Sequence, residues 1–169
     1  MSFLNSIIAK ALPYIPKPVV EKVSRRYIAG TTLRDATRVI RDLEGRGMIA
    51  TLDILGEDVH ERSAAQSTRD EWKKVLEEIK SMGVKSNISV KLSQIGLKID
   101  KEFCFQNLRS IVEAARERSN FVRIDMEDSS TTSTTLEIHR KLQSAGFDNV
   151  GVVIQAYLRR SDADVRELV

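Results

Sequence analysis

Apolar and polar residues alternate along Phe121–Glu127. Val122, Ile124 and Met126 fall on one side, and Arg123, Asp125 and Glu127 on the other, as side chains on a strand do. Asp128, Ser129, Ser130 and Thr131 come next, all cap-forming types, and then Leu136, His139, Leu142 and Ala145 at helical spacing up to Gly146. The stretch predicts a strand feeding a helix, with a carboxylate near the strand's C-terminal end, where α/β folds place chemistry.

The same succession recurs from residue 48 onward. Strands are predicted over Met48–Leu55, Asn87–Ser93, Phe121–Glu127 and Val150–Gln155. Ser67 is the predicted cap of a helix carrying Trp72, Val75, Leu76, Ile79 and Met82 and ending at Gly83. Asp100 precedes a second helix with Phe103, Leu108, Ile111, Val112 and Ala115, and Ser161 is the predicted cap of a last one. Four β-then-α units imply a parallel sheet. One face of each strand is apolar: Leu52 and Ile54, Val90 and Leu92, Ile124 and Met126, Val152 and Ile154. The other brings Asp53, Lys91, Asp125 and Gln155 to one end. Polar ends converging on a common mouth are the pattern of a (β/α)8 barrel, whereas strands of a doubly wound sheet read as continuous apolar runs. Such a barrel takes roughly 250 residues, so the chain reads as a half-barrel cut inside its fourth helix.

Residues 1–47 read as a helical arm. Helices are predicted over Ser2–Ala11 and Pro18–Tyr27, separated by Pro13, Pro16 and Pro18. A third, capped at Thr31-Thr32, carries Leu33, Ala36, Val39, Ile40 and Leu43. Residues 48–169 form the partial barrel.

Composition narrows the function classes. Aromatic residues make up 5% of the chain, too few to suggest base stacking, and no nucleic acid is expected. The single cysteine, Cys104, excludes an internal disulfide or a cysteine zinc cluster, and Phe103 and Phe105 beside it suggest a buried, inert thiol. A reducing, cytoplasmic compartment fits. The +3 net charge is uneven: residues 1–48 hold nine Lys/Arg against four Asp/Glu. That basic third suits a solvated helical face, or contact with a membrane surface or an acidic partner. No strand is followed by GxGxxG, a P-loop or a GxSxG elbow. His60 and His139 form no metal set, and His139, on the apolar side of its helix, reads as a packing residue.

Lys91, in SVKLS, lies among apolar neighbours, where a lone charge is costly. Two readings stay open: an ion pair with Asp125 or Asp53 that only holds the sheet, or a fixed cation for a substrate carboxylate. Asp125 shares the ambiguity. Gln155, in VVIQAYLRR, has both a donor and an acceptor for a cofactor ring edge.

Taken together, YIAGTTLRDA, TLDILGEDV, ISVKLSQIGL, VRIDMEDSS and VGVVIQAYLRR, in this order and spacing, resemble the proline dehydrogenase family from about Tyr27 onward. The resemblance implies a flavoenzyme on a distorted, TIM-like (β/α)8 barrel, preceded by helices. Such an enzyme oxidises L-proline to 1-pyrroline-5-carboxylate with FAD and passes electrons to a quinone, in the cytoplasm or at the inner face of the membrane. Lys91 then corresponds to the lysine that pairs with the proline carboxylate, and Asp125 to a catalytic aspartate. Met126 and Gln155 correspond to flavin contacts, and Glu57 to an acidic residue at the mouth. No metal is implied. The later strands of the family carry a catalytic arginine and most flavin contacts, so 169 residues alone are expected to be inactive. The alternative is a non-catalytic half-barrel that associates with a partner or with itself; the oligomeric state is left open.

Overall fold

In the computed structural model, which describes residues 28–30, 32–56 and 58–169, strands and helices alternate. The elements are α1 (Leu33–Gly45), β1 (Ala50–Asp53), α2 (Arg62–Met82), β2 (Ser86–Val90), a 3-10 turn (Leu92–Ile95) and α3 (Lys101–Glu117). They continue with β3 (Val122–Ile124), α4 (Thr132–Ser144), β4 (Val150–Val152) and α5 (Ser161–Leu168). The helices predicted over Ser2–Ala11 and Pro18–Tyr27 lie outside the described residues, as does Glu57. The chain divides into two units at Val39 and Ile40, and the sheet belongs to the second. In the first, Thr32 opens α1: its Oγ1 accepts from the Asp35 amide at 3.3 Å and donates to Asp35 Oδ2 at 2.7 Å.

The four strands are parallel and in sequence order, β1-β2-β3-β4. Leu52 is in register with Ile88, Val122 and Val150, and Asp53 with Ser89, Arg123 and Gly151. Because a strand alternates faces, the first row is apolar and the second mostly polar. Ile88, Val90, Val122 and Ile124 are fully buried. The helices supply the other half of that core through Trp72 and Leu76 of α2, Leu108 and Ile111 of α3, and Leu136 and Leu142 of α4. α2 packs on α3, α3 on β3, and α4 on β4. Across the opposite face, Thr51 Oγ1 donates to Asn87 Oδ1 at 2.7 Å, and Arg123 Nε donates to the same oxygen at 3.3 Å.

Each strand is shorter than its alternation predicts and gives way to an ordered exit loop. The second stops at Val90 because the chain winds into the 3-10 turn, closed by Gly96 at φ 104°. A side chain at Gly96 would meet the Phe103 ring at 2.8 Å, so glycine is required there twice over. The third and fourth strands keep one further ladder bond each, Asp125 N–H to Val90 O and Val153 N–H to Ile124 O, both 2.9 Å, before turning away.

Several predicted boundaries hold. Asp100 caps α3, accepting from the Phe103 amide at 2.7 Å, and Gly83 ends α2 at φ 63°. Ser67 does not cap α2; it lies inside a helix that starts at Arg62, where Ala64 and fully buried Ala65 extend the helical run. Ser161 is the first residue of α5, and its hydroxyl instead donates to the Gln155 carbonyl at 2.6 Å. Ahead of α4 the capping bonds fall one turn early. Asp128 Oδ1 accepts from the Ser130 amide at 2.9 Å, and the Thr131 and Thr132 hydroxyls donate to the Asp128 carbonyl at 3.0 and 3.2 Å.

Candidate functional site

The C-terminal ends of the strands border a groove of about 370 Å³ lined by Lys91, Asp125, Met126, Glu127 and Gln155, among others. Lys91 lies one residue beyond β2, on the side opposite Val90, so the turn of the strand aims it into this groove. Its Nζ reaches Asp53 Oδ2 at 2.5 Å and Asp125 Oδ2 at 3.3 Å. Its side chain is only 14% exposed, against 33% and 29% for the two carboxylates. Burial works against the ammonium's charge, yet its hydrogen bond to Asp53 and the charges of Asp53 and Asp125 outweigh it and raise the lysine above its ordinary pKa. Lys91 is therefore charged at neutral pH.

Asp125 divides its oxygens. Oδ1 accepts from the Met126 amide at 2.9 Å, which fixes the carboxyl plane, while Oδ2 faces Lys91. The Met126 side chain, 3% exposed, is buried below. Gln155 lies three residues beyond β4 and donates from Nε2 to the Met126 carbonyl at 2.8 Å. Four of the five predicted site residues thus line one groove or its floor, and Glu57 lies outside the described residues. Among the described residues no cluster of His, Cys, Asp and Glu is arranged to hold a metal.

Two carboxylates face one ammonium in this cluster. Such a cluster does not attract a simple anion. It suits a small zwitterion, whose carboxylate meets a Lys91 N–H and whose ammonium meets a carboxylate.

Three groups in the site were not singled out from sequence. Glu127 accepts from the Ser93 amide at 2.9 Å and from the Ser93 hydroxyl, joining the exits of β2 and β3. Gln94 Nε2 donates to the carbonyls of Ile54 at 2.7 Å and Gly56 at 2.5 Å, joining the exits of β1 and β2. Lys98 pairs with Asp58 at 2.5 Å across the rim. Alternation in SVKLS puts Ser93 on the face of Lys91, which was the available signal. It did not reveal Gln94, because the 3-10 turn changes the periodicity just there.

Two residues expected to be inert are placed accordingly. Cys104 is fully buried against the Leu92 carbonyl at 3.6 Å, and burial pushes its thiol pKa far up. His139 is buried in α4, and burial lowers its pKa.

The family model described as Proline dehydrogenase matches residues 36–169. Proline dehydrogenase 1 of Bacillus subtilis (strain 168) is 37% identical over 145 residues, which is 86% of this chain and 48% of that protein. Proline dehydrogenase of Deinococcus radiodurans is 32% identical over 174 residues, 95% of this chain and 56% of that protein. The chain therefore spans about half the length of these curated relatives. Among solved structures, proline utilization A from Bdellovibrio bacteriovorus, inactivated by N-propargylglycine, superimposes with a TM-score of 0.82 at 26% identity, covering 88% of this chain and 18% of that one. Its TIM-like barrel agrees with the four parallel βα units described above.

Proposed function

This chain belongs to the proline dehydrogenase family, and from that premise we propose that its groove binds L-proline beside FAD in an enzyme that oxidises proline to 1-pyrroline-5-carboxylate. The observation that carries the reading is the Lys91 ammonium held between Asp53 and Asp125 at the C-terminal ends of the strands. L-Proline is a zwitterion with its carboxylate one bond from the carbon that bears its ring nitrogen, which suits a cation flanked by carboxylates.

Lys91 anchors the proline carboxylate through a charge-assisted hydrogen bond, and the two aspartates hold its Nζ in place. Asp125 faces the developing positive charge at the ring nitrogen as hydride leaves the adjacent carbon. Its Oδ1 bond to the Met126 amide keeps that carboxylate from rotating away. The ring ammonium first gives a proton to water, and its freed lone pair then takes up the positive charge as the carbon gives up its hydride, so proline loses two electrons and two protons overall.

The residues present fit a flavin edge. Gln155 has one N–H committed to the Met126 carbonyl, leaving the other N–H and Oε1 for a ring edge, and Met126 provides apolar floor. FAD supplies, when bound, the two-electron acceptor for the hydride and the route of electrons onward to a quinone. Met126 and Gln155 would hold it on this side. No described helix is long and apolar enough to cross a membrane. We place the protein in the cytoplasm, reaching the quinone by peripheral contact with the inner face of the membrane.

The test is proline-dependent dye reduction by the purified enzyme that contains this chain, measured together with its flavin absorbance. Bleaching of the flavin on adding proline is expected in the enzyme that contains these residues. A flavin-loaded preparation that proline does not bleach would overturn the reading.

A further inference from the structure

The exit of β1 is held from a different part of the chain than the one that carries Asp53. Asp53 is the last residue of β1, an outer strand of the sheet. The loop after it runs past Leu55, which is 72% exposed. Two carbonyls of this loop, Ile54 O and Gly56 O, accept from the single amide of Gln94. Gln94 is 2% exposed and sits in the 3-10 turn for which Lys91 is the N-terminal cap residue. The turn that carries the cation thus also grips the strand end that carries its nearer carboxylate.

A role in core filling does not account for this residue. The amide orientation is set by the two carbonyls, since an oxygen in place of Nε2 would face two acceptors. The Oε1 is left buried with no partner among the described residues, an arrangement a packed leucine would avoid. The neighbouring bonds reinforce the same loop: Val59 N–H donates to Ser93 O at 3.2 Å, and Asp58 N–H to Ser93 Oγ at 3.5 Å.

We infer that Gln94 is a positioning residue, which fixes the exit of β1 so that Asp53 reaches Lys91. Its consequence for catalysis rests on the proposed role of Lys91 in binding proline; its geometric effect does not. The test is therefore a titration that needs neither flavin nor proline. The Lys91 signal is followed by NMR of lysine-labelled protein and identified by its loss in Lys91→Arg. The groups facing the ammonium are Asp53 and Asp125, and Asp53→Asn sets the scale of a lost carboxylate.

Gln94→Leu is expected to lower the Lys91 pKa by at least half the drop seen in Asp53→Asn. General loosening of the core would lower the melting temperature and leave that pKa in place. Should Gln94→Leu not fold, Gly56→Ala disturbs the same contact from the exposed loop. Gly56 has φ 151°, a backbone conformation that residues with a side chain rarely adopt, so alanine strains the loop at the carbonyl that Gln94 grips. A Lys91 pKa equal to that of the parent, in Gln94→Leu or in its replacement, would overturn the inference. Absence of proline oxidation in the parent enzyme, with the Lys91 pKa falling in Gln94→Leu, would count against the proposed function and leave this inference standing.

Discussion

Lys91 is not midway between its two carboxylates: Asp53 Oδ2 is 2.5 Å from its Nζ and Asp125 Oδ2 is 3.3 Å away. The nearer partner sits at the end of an outer strand, and the farther one carries the bond to its own neighbouring amide. Asp53 is therefore the main ionic support of the lysine, and Asp125 has an oxygen better placed to serve a bound ligand.

Asp53→Asn is expected to destabilise the protein at pH 7 by about 1 kcal/mol, the lower end for charge-assisted bonds after solvent screening. The sign comes from the raised pKa of Lys91. A raised folded-state pKa stabilises fully below the unfolded value, about 10.4 for lysine, and the gain is lost as pH rises through the folded value. Urea denaturation of parent and variant should thus differ at pH 7 and converge above the folded pKa of Lys91. A difference that persists undiminished in that alkaline range would show that Asp53 acts by something other than this pair.

Asp100→Ala is expected to cost about 1 kcal/mol, the usual loss for an N-cap carboxylate. Its Oδ1 accepts from the Phe103 amide at 2.7 Å, and no other described side chain takes that bond. Thermal unfolding of the two proteins checks it, and an unchanged midpoint would mean that water replaces the cap fully.

Cys104 is expected to resist thiol reagents in the folded protein at pH 8 and to react on unfolding. Burial both blocks access and disfavours the thiolate. Rapid labelling under native conditions would contradict the placement of α3 over the 3-10 turn.

Long-range order was legible where period and caps agreed. The alternation of Val122–Glu127 fixed which residues face the helices and which face the groove, and the register confirms it at Arg123 and Ser89. Strand length was not legible. Lys91 and Asp125 continue the alternation of β2 and β3, but they lie past the last strand residues, in exits held by side-chain bonds. Those bonds connect residues far apart in sequence, such as Gln94 with Ile54, and no local pattern announces them. The pairing of Lys91 was legible only as a choice between Asp53 and Asp125; the structure uses both.

The central claim is that Lys91 binds the carboxylate of proline, and the KM for proline of Lys91→Met in the enzyme that contains this chain tests it most directly. Removing one partner of a charge-assisted pair typically costs about 2–5 kcal/mol, which corresponds to a rise in KM of roughly 30-fold or more. Flavin content is expected to match the parent, because Met126 and Gln155 are untouched. A KM within about twofold of the parent, against that expected range, would contradict the claim and leave Lys91 as a strut of the sheet.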